Sequence, residues 1–306
     1  MDHRGDTGLS RVETTVVSSF TIDEVHRSDG RVEHKPGGPA LYAASVLSSM
    51  GSRYMITALV GGDFPSSVLA HLQQIHAILR LCARNRSFRF ILRYVQSGER
   101  SLEVDAVPKP FRLRELEGVP ESRAVVVSPV LGEISPEGLS ILRRRALFLA
   151  VDLQGFVRYQ VGRHVRLGEA NLPWARIDLV AGTEPEVCAA AGVKDPLQAV
   201  SIILTRGARL GLLMRGSRGA ILATEQEVLE IEAYAARTVD PTGAGDTMVA
   251  ALTDLLARQA SAEYALRLAT AYASLRVECA DPLTPLSEEE ARARAETLHI
   301  RGLRFP

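Results

Sequence analysis

The sequence predicts an α/β fold: a mainly parallel sheet covered by helices on both faces, with a small β flap outside it. Short β-branched or apolar runs alternate with helical stretches of about 10–15 residues, the pattern of crossover connections. Two hairpin-like segments in the first third break that alternation and supply the flap. No repeat, low-complexity segment or linker interrupts the 306 residues. Residues 1–306 therefore read as a single domain, with the flap drawn from roughly 21–36 and 87–108.

Taken in order, Thr14–Phe20 is a β-branched run and reads as a buried first strand. Thr21–Lys35 surrounds the turn Ser28-Asp29-Gly30 and reads as a hairpin. Gly37-Gly38-Pro39 opens a helix to Met50, with Gly51 where a C-terminal cap belongs. Tyr54–Val60 is a second strand, closed by Gly61-Gly62-Asp63. Phe88–Val95 and Leu102–Val107 flank Ser97-Gly98 as a second hairpin. Ala124–Val127, Ala146–Val151, Ile177–Ala181 and Val200–Thr205 read as further strands, with helices at Pro136–Arg145 and Pro185–Ala191. A strand meander follows from Leu210 to Ile231. The last quarter is helical, over Gly243–Arg258, Ala262–Glu278 and Glu288–Leu298.

Composition narrows the function. The chain carries 36 basic and 36 acidic residues, and the basic ones divide into 33 Arg and 3 Lys: Lys35, Lys109 and Lys194. None of these lysines follows a glycine, so a Walker-type phosphate loop is excluded. No His-Arg-Asp loop is present, which excludes a protein kinase. Zero net charge provides no general field for nucleic acid. No apolar run reaches the length of a membrane span, and Met1–Ser10 lacks the apolar stretch of a signal peptide. Cys82, Cys188 and Cys279 are widely spaced and read as reduced thiols of a cytoplasmic protein. The seven histidines form no ligand pair at helical spacing.

Chemistry concentrates in Asp240-Pro241-Thr242-Gly243-Ala244-Gly245-Asp246, followed by an apolar-periodic helix. The N–H groups of Gly243, Ala244 and Gly245 at a helix start form an anion site that glycine lets a phosphate approach. Asp246 places a carboxylate beside it. An acid beside an anion nest is an electrostatic conflict unless it has a task. Accepting a proton from an attacking hydroxyl while the nest holds a phosphoryl group is such a task. The helix dipole should keep Asp246 ionised and a weak base, which suffices for a loose phosphoryl-transfer transition state. The competing reading is an Asp that merely stabilises a helix start.

This string resembles the C-terminal motif of the ribokinase-like (PfkB) carbohydrate kinase family, with Pro241 where the family usually has Thr. Gly37-Gly38-Pro39-Ala40-Leu41-Tyr42-Ala43-Ala44, then Met50-Gly51 and Val60-Gly61-Gly62-Asp63, resembles its N-terminal motif. The resemblance spans nearly the whole chain. It implies a doubly wound α/β sheet with a β lid over the acceptor, and the two hairpins fall where the lid should be.

Roles carried over by the resemblance are as follows. Asp246 is the catalytic base, and Gly243, Ala244 and Gly245 form the anion hole. Asp23, placed at the end of the first strand, binds acceptor hydroxyls; a turn-capping Asp is the alternative. Gly37 and Gly38 let the substrate pack on backbone. Glu186 matches a glutamate near the magnesium and the phosphates, acting indirectly, although Thr183 replaces the usual Asn. A surface glutamate at a helix start is the alternative. Thr205 and Gly207 resemble a strand-end Thr-x-Gly bordering the nucleotide. Asp240 and Thr242 match positions that hold a monovalent cation in some members. Cys279-Ala280 stands where many of those members have Gly-Ala, which counts against potassium.

Tyr42 occupies the place of the sugar-binding Asn of typical ribokinases, which counts against ribose. The segments around Glu133 and from Asp152 through Gln154 to Arg158 are similar to a microbial branch that includes myo-inositol kinases. Asp152, Gln154 and Arg158 form a polar group just after a strand, where α/β sheets bind ligands; structural hydrogen-bonding is the alternative for Gln154 and Arg158. The expected activity is transfer of the γ-phosphate of ATP, with Mg2+, to a hydroxyl of myo-inositol or a similar polyol. Potassium is the one further cofactor to consider. A nucleoside or sugar-phosphate kinase is the alternative within the fold, the latter drawing on Arg27, Arg31, Arg93 and Arg100. A non-catalytic ligand-binding or regulatory protein is the alternative of another class. No nucleic-acid or membrane partner is expected, and the protein is a monomer or a homodimer.

Overall fold

β1 (Thr14–Ser19) is buried along its whole length and stands within the main sheet, flanked on both sides by parallel partners. The computed structural model describes residues 12–26, 30–94 and 100–303. The turns expected around Ser28-Asp29 and Ser97-Gly98 lie outside the described residues. After β1 come β2 (Thr21–His26), β3 (Val32–Gly37), α1 (Pro39–Ser49), β4 (Tyr54–Gly61), α2 (Ser66–Gln74) and β5 (Ile78–Arg84). The middle of the chain holds β6 (Phe88–Tyr94), β7 (Arg100–Ala106), α3 (Leu113–Glu117), β8 (Ser122–Ser128), α4 (Pro136–Arg143), β9 (Ala146–Asp152) and α5 (Gln154–Val157). There follow β10 (Arg158–Val161), β11 (His164–Leu167), β12 (Leu179–Thr183), α6 (Glu184–Ala191), α7 (Pro196–Thr205) and β13 (Leu210–Met214). The chain closes with β14 (Ala220–Ala223), β15 (Val228–Ile231), α8 (Ala244–Ala257), α9 (Ala262–Val277), α10 (Glu288–Thr297) and β16 (Ile300–Leu303).

The main sheet has the order β16-β15-β14-β13-β12-β9-β8-β1-β4-β5. From β13 to β5 every pairing is parallel; β14, β15 and β16 add an antiparallel margin. Both faces are buried, as a parallel sheet requires. Val16, Ile56 and Val126 point into a core shared with α1, α8 and α9. Val17, Leu59 and Val127 point into the opposite core with α4, α6 and α7. The chain runs outward from β1 in both directions, so the carboxyl ends of β1 and β8 mark a switch point where such sheets open a crevice.

A second sheet of six strands, order β10-β11-β7-β6-β2-β3, stands over that edge. The β2–β3 and β6–β7 pairs are antiparallel, and β2 joins β6 in parallel. The flap read from sequence lacked β10 and β11, which pair antiparallel and attach to β7. Also unforeseen were α2, β5, α3 and β16.

Two placements differ from expectation. Val200–Thr205 is helical: Asp195 caps α7 by accepting from the Gln198 N–H at 2.7 Å, and Pro196 occupies the first turn. Ala199, Val200, Ile203 and Leu204 form its buried stripe. Asp23 lies inside β2, opposite Lys35, rather than at the end of β1.

Candidate active site

The anion turn is built at the start of α8. Asp240 accepts the Thr242 N–H at 3.0 Å, which bends the chain into the turn. Gly243 caps the helix with φ of 80°. A Cβ there would lie 2.2 Å from the Tyr42 ring, so glycine is required by both conformation and space. The N–H groups of Gly243 and Gly245 meet no acceptor among the described residues, and that of Ala244 makes a long 3.4 Å contact to the Pro241 carbonyl. These donors at a helix start can receive an anion.

Asp246 opens onto a cleft of about 80 Å³ between the two sheets. Asp23, Gly38, Tyr42, Gln154, Arg158 and Thr242 line the same cleft. Phe90, Leu92 and Leu102 of the second sheet form its apolar cover. Gly37 stands behind Asp23, and a Cβ there would come within 2.5 Å of the Asp23 carboxylate. Gly38 has φ of 94°, and a Cβ would strike the Ser19 carbonyl at 2.4 Å. The glycine pair thus lets β3 and α1 pass close to the β1–β2 corner. The Tyr42 phenol is held well above its usual pKa by burial and by Asp23, Asp246 and Asp240, so it stays a neutral donor.

The electrostatics overturn one expectation. The helix dipole was expected to keep Asp246 ionised. Protein surrounds its carboxyl on every side but the cleft, and the lost hydration raises its pKa to about 8. Asp152, Glu186 and Asp23 add repulsion, and Arg158 offsets part of it. Asp152 is itself lifted to about 7, by burial first and then by Glu186. It accepts the Ser128 hydroxyl at 2.8 Å and the Gln154 N–H at 3.1 Å. Sequence reasoning had placed Asp152 in the acceptor's polar lining. The raised value marks it as part of the charge balance around Asp246.

Glu186 is buried rather than on the surface. The N–H and hydroxyl of Thr183 donate to one of its oxygens at 3.0 and 2.7 Å, and Arg158 donates to the other at 3.1 Å. Threonine in place of Asn therefore still holds the glutamate at the start of α6. Two acidic groups with raised pKa values, Asp246 and Asp152, beside one guanidinium, that of Arg158, form a site short of positive charge among the described residues. Magnesium fits that shortage. Both Glu186 oxygens are engaged, and no group of three His, Cys, Asp or Glu side chains among the described residues is placed to chelate a metal. Magnesium would therefore be held through water and donor phosphates.

Potassium does not fit. The Asp240 carboxylate, besides accepting from Thr242, faces the Lys35 ammonium at 3.4 Å. Arg276 donates to the neighbouring Asp281 and Pro282 carbonyls at 2.7 and 2.9 Å.

Thr205 and Gly207 are displaced from the site. Thr205 ends α7 and Gly207 follows it, at the amino-terminal edge of β12 and β13, opposite the cleft. The strand end that reaches the anion turn is Met214-Arg215-Gly216. The Met214 thioether lies 3.4 Å from the position of a Gly245 Cβ. Once α7 is read as a helix, the next apolar run ending in x-x-Gly points to this segment. Glu133 is also not a ligand of the cleft. It is buried and accepts from Ser19, Val130 and Leu131, tying the ends of β1 and β8 together. Arg93 turns to His26 and Glu103 on the second sheet, away from the cleft, and Arg27 lies outside the described residues. The side chain of Arg100 also falls outside them. A larger cavity lies at the amino-terminal sheet edge, near Arg123 and Arg145, and both of these arginines are engaged. Arg123 pairs with Glu13, and Arg145 donates to the Glu117 carbonyl at 2.7 Å. It holds none of the groups described above.

The model of the pfkB family carbohydrate kinases matches residues 146–289. The cytidine kinase of Thermococcus kodakarensis is 24% identical over 242 residues, covering 77% of this chain and 85% of that enzyme. The inositol 3-kinase of Oryza sativa subsp. japonica is 27% identical over 263 residues, covering 80% of this chain and 63% of that enzyme. A solved pyrophosphate-dependent kinase of the ribokinase family, complexed with a pyrophosphate analog and myo-inositol, has a TM-score of 0.81 at 24% identity, covering 92% of this chain and 99% of that one. The ribokinase of Thermotoga maritima has a TM-score of 0.75 at 18% identity, over 94% of this chain and 100% of that one.

Proposed function

From the premise that this chain belongs to the pfkB family of carbohydrate kinases, phosphotransferases acting on an alcohol group, we propose that it phosphorylates a small polyol of the myo-inositol type. ATP is the proposed donor. The observation that carries this reading is convergence. Thr242 and Asp246 of the anion turn line one cleft with Asp23, Tyr42, Gln154 and Arg158, and between them in the chain the N–H groups of Gly243 and Gly245 meet no acceptor among the described residues. Such a lining offers acceptors and donors to several hydroxyls of one ring.

In this reading Asp23 and Gln154 orient the acceptor, and the neutral Tyr42 hydroxyl donates to it. Asp246 takes the proton of the hydroxyl that attacks the terminal phosphorus. The new O–P bond forms as the bond to the leaving phosphate oxygen breaks, and ADP departs. Gly243, Ala244 and Gly245 hold the phosphoryl oxygens through their N–H groups. Arg158 stands between Glu186 and the cleft and balances charge on both sides. Magnesium, when bound with the donor, supplies the positive charge that keeps Asp246 ionised and shields the phosphates.

A nucleoside acceptor is the second reading, favoured by the apolar cover of Phe90, Leu92 and Leu102, which suits the face of a base. Among the described residues Arg158 is the cationic side chain that lines the cleft, and its pairing with Glu186 counts against a sugar phosphate. The test is phosphate transfer from ATP, ADP or pyrophosphate to myo-inositol, cytidine, ribose and fructose 6-phosphate. Turnover with ATP and myo-inositol well above the other pairs is expected. No turnover of any polyol by folded protein would overturn the proposal.

A further inference from the structure

Two side-chain cations lie beneath the anion turn, in positions the phosphate chemistry does not use. Arg276, near the end of α9, is 1% exposed. Its guanidinium bonds the Asp281 and Pro282 carbonyls and stands 6.0 Å from the centre of the Tyr42 ring. Among the described residues no carboxylate forms an ion pair with it. A buried arginine keeps its charge, so that charge must be answered by dipoles and by the surrounding field. The two backbone carbonyls, oxygen donors of the kind an alkali cation also takes, answer the guanidinium together with the aromatic face of Tyr42. The field comes from Asp240 and Asp246, both near enough to Tyr42 to influence its phenol alongside Arg276.

Lys35 is the second cation. It reaches from β3 to Asp240 at 3.4 Å and to Glu33 at 3.2 Å. Asp240 is in turn fixed to the end of α9, because the N–H groups of Val239 and Asp240 donate to the Val277 carbonyl at 2.7 and 3.0 Å. The loop entering the anion turn and the loop leaving α9 are thus joined, with one fixed positive charge on each. These are the loops in which the family resemblance would place a monovalent cation. In them the Asp240 carboxylate and the Asp281 and Pro282 carbonyls already accept from within the chain.

We infer that Lys35 and Arg276 are positioning residues that substitute for a bound monovalent cation, so that the anion turn is set without potassium. The inference rests on the proposed kinase reading for its activity arm and on geometry alone for its stability arm.

The experiment compares KCl, NaCl and tetramethylammonium chloride at constant ionic strength, reading thermal unfolding and turnover with ATP and myo-inositol. For the unaltered protein, turnover should differ by less than about twofold among the salts, with no potassium-specific rise in Tm. Lys35→Met frees Asp240 at a half-buried position the fold tolerates. It should lower turnover in tetramethylammonium and regain at least about fivefold in potassium, with a potassium-specific rise in Tm. Arg276→Lys keeps a charge and should stay close to the unaltered protein. Potassium activation of the unaltered protein by about tenfold, or a potassium-specific Tm rise in it, would overturn the inference. So would a Lys35→Met protein indifferent to all three salts. If no acceptor is phosphorylated, the kinase reading fails, while the Tm comparison still decides this one.

Discussion

Asp246 is the residue where local and tertiary physics disagree most. A carboxylate in the first turn of a helix gains from the helix dipole, worth about 0.3–1 kcal/mol at an exposed site. Removing that carboxylate from water, among Asp152, Glu186 and Asp23, costs more, and the pKa rises to about 8. Burial therefore favours the neutral acid at Asp246 in the ligand-free protein. Asp246→Asn keeps the shape of the neutral acid and removes the base. Turnover should fall by about 10²–10⁴-fold or more, the usual range for general-base removal, while the circular dichroism spectrum stays unchanged. Near-normal turnover in steady-state assays would remove Asp246 from the mechanism.

At the scale of the element, α6 shows how a helix start delivers a functional side chain. Thr183 ends β12, and its N–H and hydroxyl both bind the carboxylate of Glu186 three residues on. This reciprocal cap sets Glu186 toward Arg158 at 3.1 Å. Thr183→Ala should destabilise the protein by about 1 kcal/mol, the usual effect of losing such a cap. It should also raise the KM for the nucleotide more than that for the acceptor, read in separate titrations of each substrate. Equal effects on both would place Glu186 outside the donor site.

Helix α7 is the counter-example. Val200–Thr205 is short and rich in β-branched residues, and periodicity alone does not separate a buried strand from a buried helix at that length. The deciding signal was Asp195-Pro196, a cap followed by a proline at the first position, lying just upstream of the run. Missing it put Thr205 at a strand end beside the site, whereas the strand end that approaches the anion turn is at Met214. By contrast, α1 and α8 were legible because Pro39 and Gly243 mark their starts and long periodic stretches follow.

For the whole molecule, the cleft joins acidic groups drawn from β2, β9, α6 and α8, and stability should depend on pH accordingly. Asp246 and Asp152 have folded pKa values of about 8 and 7, above their ordinary value of 3.8. For a group raised on folding, the contribution to stability is fully present below its unfolded pKa and is lost as pH rises through the folded value. The ligand-free protein should therefore lose Tm between about pH 4 and pH 8. Glu230, held low by Arg301 and then Arg215, works the other way and loses its contribution as pH falls below the ordinary carboxylate range. Thermal melts from acid to alkaline pH should show a maximum on the acid side of neutrality. Asp246→Asn should flatten the decline above it, and a decline as steep as that of the unaltered protein would contradict the raised value.

The sequence by itself determined the α/β class, the anion turn and several of the polar residues that line the cleft. Each of these rests on local chemistry: alternation of runs, glycines at a helix start, an acid beside them, polar residues after a strand. Tertiary structure alone decided the proton on Asp246, the pairing of Asp240 with Lys35, the carbonyl bonds of Arg276 and the approach of Met214 to the anion turn. Those contacts join residues far apart in the chain. The energies that govern them, desolvation and charge–charge interaction, depend on distance and burial in the folded molecule rather than on spacing along it.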